Sequence, residues 1–266
     1  MKLTGVIVDW AGTIVDHGSC APIAAIQEVF AARGVPVTNE EARGPMGLAK
    51  RVHIRRLLEM PRVVEEWAKK HGDLPTHTDV DAIYAAFVPK QIEMLPAYSE
   101  LILGVADAAK RMRARGLKIG TTTGYNRAML DYLLNRAQEQ GFVPDFAACP
   151  DDVPSGRPHP FMCYLNALHM GVHPLWTLVK IGDTPVDIEE GLNAGMWTIG
   201  ITRTGNEVGH CPEEWRAASE EDRLRLLAEA YETLTRAGAH YTAESVAECD
   251  EILDRIDARL SLGDRP

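Results

Sequence analysis

Short β-rich runs and helical stripes divide this chain unevenly. Leu3 to Val8 is an apolar run that ends at Asp9, and Gly12-Thr13 turns the chain directly afterwards. From Ala21 to Arg33 the spacing is helical, with Ile23, Ile26, Val29 and Phe30 on one side and Gly34 as the stop. Residues 40 to 95 read as further helices, broken at Gly44-Pro45, Pro61, Gly72 with Pro75, and Pro89, with no strand signal among them. After Pro96 the texture changes. Leu101, Val105, Ala108 and Met112 keep helical spacing up to Gly116, and Leu117 to Thr122 is a strand running into a turn at Gly124. A helix over Asn126–Gln140, a short strand over Asp145–Cys149 and a helix over Phe161–Met170 follow. Thr177 to Ile181 is a strand leading into Gly182-Asp183, then come a helix to Ala194 and a strand over Met196–Ile201. The tail beyond Gly205 is charged and helical, with a stop at Gly238. This alternation predicts an α/β fold with a Rossmann-like parallel sheet covered by helices on both faces, formed by residues 1–19 and 98–266. Residues 20–97 are expected to form a separate helical domain inserted into it.

The pattern also places polar residues at the ends of three strands: Asp9, Thr123 and Asp183. In an open α/β sheet, that edge is where ligands bind.

Composition narrows the partners. With 45% hydrophobic residues the chain can build a sizeable core, and a net charge of −10 argues against nucleic acid or an anionic membrane as partner. Five dispersed cysteines without a CxxC pair argue against a disulfide framework and point to a reducing cytoplasm. The first apolar run is too short for a signal peptide, and no stretch reaches membrane-spanning length.

Four motifs carry candidate chemistry. In DWAGT, Asp9 stands at a strand end before a turn rich in backbone N–H groups, which suits carboxylate attack on phosphorus. In GDTPVD, Asp183 and Asp187 lie four residues apart and can share a face, giving hard oxygen donors for Mg²⁺. In TTTGY, the Thr123 hydroxyl is nearest the turn and best placed for a phosphoryl oxygen, whereas Thr121 and Thr122 read as an inert buried run. In SGRPHP, a stiff loop holds Arg157, whose planar fork suits an oxyanion. Taken singly, each also fits a blander role: a turn cap, a pair of solvated helix-start carboxylates, a buried strand, an exposed loop arginine. His169 and His173 stand four apart, but Gly171 between them and Pro174 after them favour a helix end over a zinc pair.

Taken together and in order, the four motifs resemble those of the haloacid dehalogenase superfamily of phosphoryl-transfer enzymes, which often carries an inserted cap where residues 20–97 lie. Two positions depart from the commoner pattern. Ala11 stands where that superfamily's phosphatases carry a second aspartate, the general acid and base for an oxygen leaving group. Arg157 stands where lysine is commoner.

The helical insertion offers a different chemistry. Met46, Lys50, His53 and Leu57 follow at steps of four, three and four, so they form one helix stripe. Desolvation on such a stripe would lower the lysine pKa and free its amine for carbonyl attack. A snorkelling lysine beside a half-exposed histidine fits the same spacing. An imine on a carbonyl compound would drain electrons from a departing carbon, and then no oxygen leaving group would need the proton that Ala11 cannot give.

DWAGT with Ala11, GPMGLAKRVHI, TTTGY, SGRPHP, GDTPVDIEEGLNAGMW and AGAHYTAES make the chain similar to the phosphonatase family within that superfamily. The resemblance implies hydrolysis of the carbon–phosphorus bond of phosphonoacetaldehyde, in 2-aminoethylphosphonate degradation. By position it implies Asp9 as nucleophile and Mg²⁺ ligand, the Ala11 carbonyl and Asp183 as further ligands, and Asp187 holding the metal directly or through water. Thr123 and Arg157 would bind the phosphoryl group. Lys50 would form the Schiff base, flanked by Met46 and by His53 as a proton carrier. Tyr125 would shape the site, and cap helices would mediate a homodimer. Two rival readings stay open: a phosphatase or phosphomutase acting on a small phosphate ester, and an inactive binding module.

Overall fold

The structure, a computed structural model, describes residues 2–266. Strand β1 (Gly5–Val8) is followed by five helices with no strand between them: α1 (Cys20–Ala32), α2 (Asn39–Arg43), α3 (Lys50–Leu58), α4 (Pro61–His71) and α5 (His77–Met94). The chain then returns through α6 (Val105–Ala114), β2 (Lys118–Thr122), α7 (Arg127–Glu139), β3 (Phe146–Ala148), α8 (Phe161–Met170), β4 (Leu178–Gly182), α9 (Pro185–Asn193) and β5 (Trp197–Ile201). It closes with α10 (Pro212–Ala217), α11 (Glu220–Arg236), β6 (Tyr241–Ala243) and α12 (Asp250–Ser261).

The strands form one sheet in the order β3-β2-β1-β4-β5-β6, and every pairing is parallel. Side chains alternate across it: Val6 and Val8 enter the main apolar cluster, while Ile7 packs on the opposite face with Cys163, Ala167 and Met170 of α8. Burial on both faces explains why the central strands read as continuous apolar runs. The strand order reverses direction between β1 and β4, so the residues just beyond these two strands flank the crevice of a doubly wound sheet.

The helices between β1 and α6 bury their apolar faces in a cluster continuous with the main apolar cluster of the sheet. Helix α5 packs on α1 and α3. Ile23, Ile26 and Phe30 share one apolar cluster with Ile54, Leu57, Ile83 and Phe87, all buried. Two expectations need correction here. Pro89 does not break the helix: α5 runs through it from His77 to Met94. Proline removes a single ladder bond and clashes with one carbonyl, and packing on both sides of that position holds the helix together. The tail is also not wholly helical, because Tyr241–Ala243 adds a sixth strand beside β5. Three residues set in charged sequence give no period to detect. Among the described residues no helix is long and apolar enough to cross a membrane.

Candidate active site

Where β1 ends, the Asp9 N–H still donates to the Ile181 carbonyl at 2.9 Å, so the sheet fixes the backbone of Asp9. The turn after it is tight: the Trp10 carbonyl accepts from the N–H groups of Thr13, Ile14 and Val15. Gly12 has φ +81°, and a Cβ there would lie 2.2 Å from Oδ2 of Asp183. Only glycine lets the turn approach that carboxylate so closely.

Asp183 lies just beyond β4 and is buried. Its Oδ2 accepts the Asn206 N–H at 2.8 Å and the Ser19 hydroxyl at 3.2 Å, and its Oδ1 accepts the Thr13 hydroxyl at 3.3 Å. Ser19 precedes α1, yet its hydroxyl does not cap that helix. The Asp16 carboxylate does so instead, accepting from Cys20 N at 2.9 Å and Ala21 N at 3.1 Å. Asp187, in the first turn of α9, has both oxygens engaged. Oδ1 meets Lys180 Nζ at 2.6 Å and Arg157 Nη1 at 3.0 Å, and Oδ2 accepts the Thr184 hydroxyl at 2.5 Å.

Ligand oxygens of Asp9, Asp183 and Asp187 all lie within 4.8 Å of one another. Burial, together with the neighbouring carboxylates, raises the pKa of Asp9 and pushes that of Asp183 well up. Burial would raise Asp187 too, but Arg157 and Lys180 hold it below the ordinary range. The donor set therefore fits a cation. The four buried carboxylates Asp9, Asp183, Asp187 and Glu190 face the two buried cations Arg157 and Lys180. A divalent ion would suit this cluster of hard oxygen donors.

Arg157 arrives from the loop after β3. It donates to Asp9 Oδ1 at 2.5 Å, to the Thr122 hydroxyl at 2.8 Å and to Glu190 Oε2 at 3.0 Å. The Thr122 hydroxyl also donates to Glu190 Oε2 at 2.9 Å. Thr122, expected to be inert, therefore orients the arginine. Lys180 and Glu190 were not singled out from the sequence. A lysine in the middle of the apolar run LVKIG was a usable signal, since a buried lysine needs a carboxylate partner.

Above this layer sits Lys50, the first residue of α3, only 6% exposed. Its Nζ lies 3.5 Å from Met46 Sδ and 5.3 Å from the centre of the Tyr125 ring. Burial lowers its pKa from 10.5 to about 8, against the pull of Asp9. Lys50, Met46 and Tyr125 line the same small cavity as Asp9, Ala11, Thr123, Arg157 and Asp183, with Ser19, Gly47 and Thr184 added by the fold. Its volume is about 20 Å³, room for little more than one water. The helical insertion thus covers the strand ends closely.

His53 does not reach this cavity. It is fully buried one turn further along α3, with Nε2 2.9 Å from the Ala42 carbonyl, to which it donates. Burial, then the Lys50 charge, keeps its pKa well below the ordinary value, so the ring is neutral. Its Nδ1 has no partner. The His169 ring stacks on Phe146 with centroids 3.9 Å apart, so its role is in packing.

Fold and site together define the class. Residues 3–195 match the family model of haloacid dehalogenase-like hydrolases. The chain is 45% identical over 257 residues to a phosphonoacetaldehyde hydrolase of Bacillus thuringiensis (strain Al Hakam), covering 97% of each chain. It is also 45% identical to one of Syntrophobacter fumaroxidans, covering 98% of this chain and 94% of the relative. A crystal structure of a phosphonoacetaldehyde hydrolase-like protein from Oleispira antarctica superposes with a TM-score of 0.98 at 38% identity, covering 100% of this chain and 96% of the other. The chain belongs to the haloacid dehalogenase-like hydrolases and, within them, to the phosphonoacetaldehyde hydrolase family.

Proposed function

We propose that this cavity hydrolyses the carbon–phosphorus bond of phosphonoacetaldehyde to acetaldehyde and phosphate. One observation carries the reading: a buried lysine amine with a depressed pKa shares a cavity of about 20 Å³ with the strand-end carboxylate of Asp9.

The neutral Lys50 amine adds to the aldehyde carbon, and loss of water gives an imine that is protonated on nitrogen. Asp9 then attacks phosphorus. The carbon–phosphorus electron pair moves into the carbon skeleton and is held as an enamine on the Lys50 nitrogen. Protonation of the enamine carbon and hydrolysis release acetaldehyde and restore the lysine. Water cleaves the aspartyl phosphate and frees Asp9. Arg157, delivered by Glu190 and Thr122, offsets the charge on the phosphoryl oxygens, and Thr123 supplies a hydroxyl at the same edge. Mg²⁺ held by Asp9, Asp183 and the Ala11 carbonyl, with Asp187 behind, would neutralise phosphonate charge so that a carboxylate can approach. Lys50, once hydrolysis has released acetaldehyde and freed its amine, is a base on the cavity wall able to take the proton of the hydrolytic water. His53 is not on that wall. Ala11 carries no carboxylate to protonate an ester oxygen, which favours this reaction over a phosphatase or phosphomutase.

Purified protein with phosphonoacetaldehyde and Mg²⁺ is expected to release acetaldehyde and phosphate in equal amounts, and a chelator is expected to stop both. Phosphate release from simple esters, with none from the phosphonate, would overturn the assignment.

The depressed pKa of Lys50 sets a pH dependence. Below about 8 the amine becomes ammonium and has no electron pair to offer. The ratio kcat/KM should therefore rise with pH through that value and level off above it. A rising limb centred near 10.5, the ordinary lysine value, would place the amine in water instead of the cavity.

A further inference from the structure

Arg43, the last residue of α2, belongs to the helical insertion, yet its guanidinium is plugged into the core. Nη1 donates to the Gly18 carbonyl at 2.7 Å and to Asn206 Oδ1 at 3.2 Å, and Nη2 donates to the Gly209 carbonyl at 2.8 Å. Asn39 Oδ1 accepts from Nε at 2.9 Å, which aims the fork from within α2. Gly209 has φ +66°, and a Cβ there would lie 2.7 Å from Cζ of Arg43, so the loop is shaped around the guanidinium.

The loop that receives Arg43 also holds the site. Asn206 N–H is the 2.8 Å donor to Asp183 Oδ2, and the Thr204 hydroxyl donates to the Gly12 carbonyl at 2.8 Å. The Thr204 carbonyl accepts the Gly18 N–H at 2.7 Å. On the other side of Arg43, residues 44–49 lead directly to Lys50, and Met46 and Gly47 among them line the cavity. None of the partners of Arg43 in these hydrogen bonds is a carboxylate. The joint is directional, and the Arg43 charge also favours the ionised carboxyls of nearby Asp16 and Glu207. A lysine, as a single point charge, could not serve these oxygens as a planar fork does.

We infer that Arg43 is a positioning residue, a latch that ties the seating of Lys50 to the placement of Asp183 when the helical insertion closes. The catalytic part of this inference rests on the proposed reaction, whereas the latch itself is read without turnover. The experiment is hydrogen exchange by mass spectrometry on full-length wild type, Arg43→Met and Arg43→Lys, paired with steady-state kinetics. In both variants, segments 44–50 and 205–209 should exchange about 10-fold faster or more, and the sheet strands should stay as in wild type. Both kcat and kcat/KM should fall together by about 10- to 100-fold, with KM little changed. Free guanidinium ion should restore part of kcat to Arg43→Met and none to Arg43→Lys. If either variant fails to fold, Asn206→Ala removes one acceptor from the core side and should give a smaller loss of the same kind.

Unchanged exchange at 44–50, full activity in Arg43→Lys, or a loss confined to thermal stability would each overturn the latch. Should wild type fail to cleave phosphonoacetaldehyde, the reaction is wrong, and the exchange data still decide whether Arg43 holds the insertion closed.

Discussion

Lys50→Arg is expected to lower kcat for phosphonoacetaldehyde by about 10⁴-fold or more, the scale on which removal of a covalent catalytic group acts. The substitution keeps a long cationic side chain at a position that is 6% exposed, so the fold and the acidic cluster should survive. What it removes is the electron pair. A guanidinium stays protonated at any accessible pH and cannot add to a carbonyl. Lysine at this position can, because burial has brought its pKa down to about 8. Without the imine, the carbon–phosphorus electrons have no nitrogen sink, and attack by Asp9 has no competent leaving group. Borohydride added with substrate should fix an adduct on Lys50 in wild type and none in the variant, as read by peptide mass. A variant that turns over substrate at the wild-type rate removes the imine route altogether.

Asp9→Asn should be as damaging for phosphate release, by about 10⁴- to 10⁶-fold, but it should stop the reaction at a different point. The amide has the shape of the carboxylate and little nucleophilicity. Lys50 is unchanged, so the imine should still form. Borohydride should therefore trap the whole substrate on Lys50, phosphonate included. The mass of the adduct separates the two halves of the mechanism: amine chemistry on the helical insertion and phosphoryl transfer on the sheet. Loss of trapping in Asp9→Asn would mean that the amine depends on the carboxylate for more than charge. Phosphate release at the wild-type rate would remove Asp9 as nucleophile.

Much of this arrangement was legible in the chain. The run ending at Asp9, the strand ending at Thr122 and the strand before Gly182-Asp183 are each bounded by a turn signal, and each proved to be a parallel strand with its candidate site residue at the same edge. Helix stops were equally clear where glycine supplies a positive φ, as at Gly72 and Gly238. Other parts gave weaker signals. Pro89 marks a break in isolation and is overruled by packing, and β6 is too short to show a period. Glu190 resembles any charged helix residue until its carboxylate is found 3.0 Å from Arg157.

Local chemistry is written along the sequence, because a strand end, a turn and a residue type are properties of a few neighbouring positions. Alanine rather than aspartate at position 11 belongs to that kind of information, as does the order of the four motifs. The expected stripe holds only from Lys50 through His53 to Leu57, because α3 starts at Lys50 and Met46 lies in the turn before it. Which of these groups share one cavity was decided only in three dimensions. The stripe alone treats Lys50 and His53 alike, yet the closed insertion turns the lysine into the crevice and buries the histidine against Ala42. The depressed amine pKa has the same origin: desolvation comes from atoms distant in the chain, and no local pattern encodes their approach.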